Sequence, residues 1–287
     1  MQNTLRLVRP TYPQNWSAYN QAQTNEKALF QTLLHELCEG VGEPSQVMGR
    51  PRLPLNEMIF AAAFKVFSTV SGRRFMSDLR DAHAKGYISK LPCYNSIFTY
   101  FENEVMTAYL TLLVEESSLP LRVIERDFAV DSSGFSTGVY KKWAETKWTG
   151  VRVLHGAKQP NTVKTRDWVK VHICCGVKTN VITAIEVTHA HANDHDRFQP
   201  LVEATSQNFV IDTVSADKAY SSYRNVQYTF SKAAMPYIDF KHNTKVTIKS
   251  PAGWRRMFHL YSYNKDEFMR QYHKRSNVET TFAMMNV

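Results

Sequence analysis

The sequence predicts an α/β chain in which an all-helical block precedes a mixed five-stranded sheet with helices packed on its faces. Three observations carry this. Apolar residues recur at helical spacing from Glu26 to about Ser118, the character of the chain changes at Pro120, and beyond it three β-rich runs are followed by alternating helical and β segments. The boundary falls between a helical region, residues 1–119, and a sheet-bearing region, residues 120–287.

In the first region Leu29, Leu33, Leu34 and Leu37 form one stripe. Leu55, Ile59, Ala62, Ala63, Val66 and Phe67 form a second, and Phe75, Leu79 and Ala82 a third; further helices fit Ser96–Phe101 and Val105–Glu115. Gly40, Gly42, Ser71-Gly72, Gly86 and Leu91-Pro92 supply the stops and turns. After Pro120, Val123–Asp131 reads as a strand. Trp168–Cys175 and Val181–Thr188 read as a hairpin around Gly176–Asn180. A helix over about Asp194–Ser206, a strand Val210–Ala216, a helix Ser221–Ala233, a strand Tyr237–Phe240 and a long amphipathic helix from about Lys265 to the end complete the order β-β-β-α-β-α-β-α. The stretch from Val139 to Thr165, with Trp143 and Trp148 among Lys141, Lys142, Lys147 and Arg152, reads as a basic surface loop that either grips DNA or is a solvated charge run.

Composition narrows the class. The 287 residues carry 35 Lys+Arg against 26 Asp+Glu, a formal charge of +9, and 43% of the chain is apolar, which excludes disorder and favours a polyanionic partner. The longest apolar run, Met58–Val70, is interrupted by Lys65 and falls short of the ~20 residues of a membrane span. The N-terminus lacks the apolar core of a secretory signal, so a cytoplasmic protein is expected. Four cysteines without CxxC spacing, Cys38, Cys93, Cys174 and Cys175, read as buried reduced thiols, the vicinal pair on opposite faces of a strand.

Three carboxylates stand out by position. Asp131 closes the first strand and Asp217 the fourth; if these strands are parallel neighbours, both acids lie at the edge where α/β sheets bind ligands. Glu279 shares a helical face with Phe268, Tyr272, Arg275 and Phe282, which would turn it inward toward the sheet. Close carboxylates need a cation unless one is protonated, and oxygen-only ligands favour Mg²⁺ or Mn²⁺. Two such ions could drive phosphodiester displacement. For either Asp alone, a turn-capping role is the simpler reading.

Three segments then resemble a known family: Ala129-Val130-Asp131-Ser132-Ser133, Ser215-Ala216-Asp217-Lys218-Ala219-Tyr220, and Tyr272, Arg275 and Glu279 in the last helix look like the acidic motifs of the DDE transposases of prokaryotic insertion sequences. Pro236–Lys241 is similar to the strand before the last motif. The resemblance covers about Arg122–Val287 and implies an RNase H-like fold. It further implies an Asp131, Asp217 and Glu279 triad holding two divalent ions, and cleavage and joining of double-stranded DNA at transposon ends. It assigns DNA-phosphate contact to Tyr272 and Arg275, and a homodimer to the synaptic complex that pairs two ends. Lys218, beside Asp217, is a further candidate for phosphate contact. Family members often carry a Lys seven residues past the Glu; here that position is Asn286, so either this member lacks the contact or the chain is truncated. The alternatives are a metal-dependent nuclease on the same fold and an inactive DNA-binding relic.

His189, His191 and His195 are spaced like metal ligands, but Asn193 and Asp194 read as helix caps and no ligand-rich partner accompanies them. His172 reads as structural or surface-facing. A helix-turn-helix could run from Ser71 through the helix ending at Ala84 to the one near Ser96, although helical packing alone would give the same pattern.

Overall fold

Contacts in the computed structural model, which describes residues 15–49, 51–136 and 168–285, divide the chain into two units, residues 1–110 and 111–287. The basic loop between Val139 and Thr165 lies outside the described residues.

The first unit is helical. α1, Trp16–Glu39, starts ten residues before Glu26, where the apolar periodicity begins, because its first turns are polar and exposed and leave no apolar signature; Asn15 caps it, its side chain accepting the Ala18 N–H at 3.1 Å. α2, Leu55–Ser68, ends at Thr69, which is left-handed at φ 55°, and α3, Gly72–Ala84, begins three residues later. α4 spans Tyr94–Phe101. Their common core is aromatic and fully buried: Phe60, Phe64 and Phe75 sit with Leu79 and Ile97, and the Phe64 and Phe75 rings meet edge to face at 5.3 Å. Residues 85–93 between α3 and α4 make a longer connection than a helix-turn-helix uses. The tight three-residue turn joins α2 to α3 instead, and α3 exposes Arg73, Arg74, Ser77 and Arg80. α5, Val105–Ser118, crosses the division between the units.

The second unit is built on five strands: β1 Asp127–Ser136, β2 Trp168–Gly176, β3 Ile182–His189, β4 Thr213–Ala216 and β5 Met235–Ile238. Their order is β3-β2-β1-β4-β5; β1 to β3 are antiparallel neighbours, and β4 and β5 add in parallel, giving the mixed sheet the element order predicts. The helices are α6 Phe198–Asn208, α7 Tyr223–Ser231, α8 Ala252–Tyr263, α9 Lys265–Tyr272 and α10 Ser276–Met285. Alternation along β1 sorts the two faces. Phe128 and Val130 enter one core with Phe198, Leu201 and Val202 of α6, while Ala129 enters another with Ile173, Val278 and Phe282. Cys174 and Cys175 follow the same rule, one in each core, whereas Cys93 is exposed, contrary to the expectation that all four thiols are buried. Among the described residues no helix is long and apolar enough to cross a membrane.

The end of the chain differs from the expected single helix. α8 is additional, invisible to periodicity because of its residues only Trp254 and Met257 are buried. The stretch from Lys265 onward breaks at a 3₁₀ turn, His273–Arg275, where two consecutive cations reach across to β1: Lys274 Nζ lies 2.8 Å from Asp127, and Arg275 lies 2.6 Å from Asp131.

A buried carboxylate sets the β2–β3 turn. Glu125, fully buried, accepts the N–H groups of Lys178 at 3.2 Å and Thr179 at 2.5 Å. Gly176 has no side chain because one would fall on it: a Cβ there would lie 2.4 Å from the Glu125 carboxyl carbon. Gly176→Ala is therefore expected to destabilise the protein by about 1–3 kcal/mol, as overpacking does. Chemical denaturation measures it, and an unchanged midpoint would mean that Glu125 moves aside freely.

Candidate active site

The parallel pairing of β1 with β4 ends at Val130 opposite Ala216, so the next residues, Asp131 and Asp217, follow side by side at the C-terminal end of β4. Asp217 is the first residue past its strand, but Asp131 does not close β1 as expected: β1 runs on to Ser136, with Asp131 opposite Ile173, because β2 continues to pair with it after β4 has ended. Each acid also accepts the N–H of the residue after it, and for Asp217 this is a cap. Asp131 accepts the Ser132 N–H at 2.8 Å, and Asp217 accepts the Lys218 N–H at 2.7 Å at the start of a 3₁₀ turn, Lys218–Tyr220. Capping and clustering are thus compatible.

Asp131 is the more enclosed of the pair. Burial raises its pKa, and the Asp217 charge adds to the rise; the Ser132 N–H and the Arg275 guanidinium oppose both. Arg275 Nη1 donates to Asp131 Oδ2 at 2.6 Å, with side-chain exposures of 20% and 19%, and Nη2 reaches Glu279 Oε1 at 3.4 Å. The guanidinium carbon stands 5.8 Å from the centre of the Tyr272 ring, which stacks on buried Phe268. One cation therefore links two of the three acids, its position held by an aromatic ledge.

Glu279 departs from the expected orientation. Its side chain is 66% exposed, and the buried face of α10 is Val278, Thr281 and Phe282. The helical count from Phe268 does not carry through because the 3₁₀ turn at His273–Arg275 changes the angular step per residue. Lys218 is exposed beside Asp217. His189, His191 and His195 do not converge, and among the described residues no group of three His, Cys, Asp or Glu could hold a metal ion. His172 is fully buried, with its Nε2 2.9 Å from the Thr188 hydroxyl; burial lowers its pKa, so it is a neutral structural residue.

Asp194 has a different place from the one its sequence context indicates. Its side chain makes no cap on the 3₁₀ turn His195–Arg197. It accepts the Ser132 hydroxyl at 2.7 Å and pairs with Lys170 at 2.6 Å. Only the folded sheet brings residues 62 positions apart together in this way, and nothing local in the sequence marks it.

A protein-family model described as the transposase DDE domain matches residues 124–286. The chain belongs to that family. The match covers more than half of the sequence and most of the second unit, with β1, β4 and α10 and their three acids inside it. Comparisons with curated proteins and with solved structures gave no match. As a DDE transposase the chain is a metal-dependent polynucleotidyl transferase and endonuclease by family. The donor chemistry fits a divalent ion in part: Asp131 and Asp217 are adjoining oxygen donors whose mutual repulsion a cation relieves, and Arg275 already pairs with one of them. Glu279, turned outward on Arg275, must reorient to join them.

Proposed function

We propose that this DDE transposase binds double-stranded DNA at the terminal inverted repeats of its element, hydrolyses one strand at each end and joins the freed 3′-hydroxyl to target DNA. The observation that carries the reading is the juxtaposition of Asp131 and Asp217 where the parallel pairing of β1 with β4 ends, with Arg275 lodged against Asp131. In this reading Asp131, Asp217 and Glu279 are the catalytic acids and metal ligands. Two hard divalent cations, Mg²⁺ or Mn²⁺, would supply Lewis-acid polarisation of the phosphoryl group and activate the attacking water or hydroxyl.

The chain's own residues do the rest. Asp131 and Asp217, held by the N–H groups of Ser132 and Lys218, present oxygens at fixed positions beside the end of β4. Arg275, propped on Tyr272, turns from Asp131 to a DNA phosphate, for which its planar fork is suited, and Lys218, exposed beside Asp217, contacts the backbone as well. The excess of nine positive charges favours the polyanion generally. In the helical region, α2 and α3 have the short turn of a helix-turn-helix, and the Arg73, Arg74 and Arg80 side of α3 suits the repeats. The chain acts in the cytoplasm as a homodimer, since two ends must be held at once.

A plasmid carrying the element's flanking repeats tests this. Nicks at the repeat ends with Mg²⁺, none with EDTA, and joining of pre-cut ends to a target plasmid are the expected results. Hydrolysis without joining would replace transposition by a nuclease function, and binding without either would leave a DNA-binding relic.

A further inference from the structure

The two sides of β1 are braced differently at the point where it carries Asp131. Successive residues of a strand face opposite ways, so Asp131 meets Arg275 on one side while Ser132 faces the other. On that second side Ser132 lies opposite His172 of β2, and Asp194, arriving from the connection between β3 and α6, accepts the Ser132 hydroxyl at 2.7 Å. Asp194 is itself clamped. Lys170 Nζ lies 2.6 Å from it and also donates to the Ala192 carbonyl at 3.4 Å, and the buried His172 ring is 3.5 Å away. The buried Tyr220 phenol lies within the influence of Asp194, Asp131 and Asp217, which together with burial push its pKa up.

Ser132 thus connects two acids. Its hydroxyl is fixed by Asp194, and its N–H donates to Asp131 Oδ1 at 2.8 Å. We propose that Asp194 is a positioning residue for the reaction centre, setting through Ser132 the direction in which Asp131 presents its carboxylate. The inference rests on the reading of Asp131 as a metal-binding acid and extends it to a residue outside the three motifs. A local cap would need no Lys170 clamp and would bond the N–H groups of its own turn, which Asp194 does not do.

The test is steady-state cleavage of repeat DNA together with Mn²⁺ titration of the DNA-free full chain by calorimetry. Asp194→Ala should lower kcat roughly 10- to 100-fold and weaken Mn²⁺ binding by a similar factor, as loss of an outer partner of a metal ligand does, with KM for DNA nearly unchanged. Ser132→Ala should match it, and the double variant should fall no further. Asp194→Asn, which still accepts the Ser132 hydroxyl, should recover most of the loss. Wild-type kcat in Asp194→Ala, or an effect confined to KM, would overturn the proposal. So would equal losses in the Ala and Asn variants that follow their melting temperatures, because these would mean a scaffold role only. A wild-type chain that neither binds Mn²⁺ nor cleaves would instead overturn the reading of Asp131 on which the inference stands.

Discussion

Asp131→Ala and Asp217→Ala are each expected to lower metal-dependent cleavage by on the order of a thousandfold or more, which is about 4 kcal/mol of transition-state stabilisation. Binding of repeat DNA should persist. The two acids sit on neighbouring parallel strands, each one residue past the last β1–β4 pair, so neither can substitute for the other without moving the sheet. Asp217 also caps a 3₁₀ turn through the Lys218 N–H, a loss that alone costs only about 1 kcal/mol of stability, and Asp131 makes the corresponding local bond to the Ser132 N–H. A small change in melting temperature beside a near-complete loss of cleavage therefore separates the chemical role from the capping role. Gel-shift and nicking assays on the same preparations give the comparison. Cleavage at wild-type rate in either variant would remove that acid from the reaction centre.

Arg275→Ala should act in two opposed ways. Without divalent ions it leaves Asp131, only 19% exposed, beside Asp217 with its guanidinium partner gone. Breaking a fully buried ion pair costs about 3–5 kcal/mol, and at this exposure roughly 1–3 kcal/mol is expected. Mn²⁺ should restore more melting temperature to this variant than it adds to the wild-type chain, since ion and guanidinium serve the same carboxylate. Cleavage should nevertheless stay low, because the phosphate contact assigned to Arg275 is lost. Arg275→Lys should recover charge without the bidentate fork and fall between the two. If Mn²⁺ stabilises wild-type and variant equally, Arg275 and the ion do not share a site.

How much of this was legible in the sequence depends on whether the signal was local. The strand runs leading to Asp131 and Asp217 were visible because each apolar run gives way to an acid; β4 does stop there, at Ala216, whereas β1 continues to Ser136 because β2 keeps pairing with it. The β2–β3 hairpin was marked by Gly176 and Asn180, and Asn180 does take the left-handed conformation its turn requires, at φ 59°. Boundaries shifted where a tertiary partner decided them. β1 begins at Asp127 and not at Val123, which is 82% exposed, and α8 escaped notice because only Trp254 and Met257 are buried. Glu279 was misplaced for a related reason: a helical count assumes one uninterrupted helix, and the 3₁₀ turn at His273–Arg275 breaks it.

By itself the sequence determined the class of fold, the two acids that follow apolar strand runs, the basic balance and the motifs whose order resembles the DDE transposases, a membership the family match bears out. These are carried by residue type and short-range spacing, which a linear chain displays directly. The tertiary structure alone decided which charges meet: Arg275 on Asp131 from 144 positions away, Lys274 on Asp127, and Asp194 on Ser132 and Lys170. Side-chain electrostatics act over a few ångströms of space whatever the separation along the chain, so such pairs exist only once the strands have taken their order in the sheet.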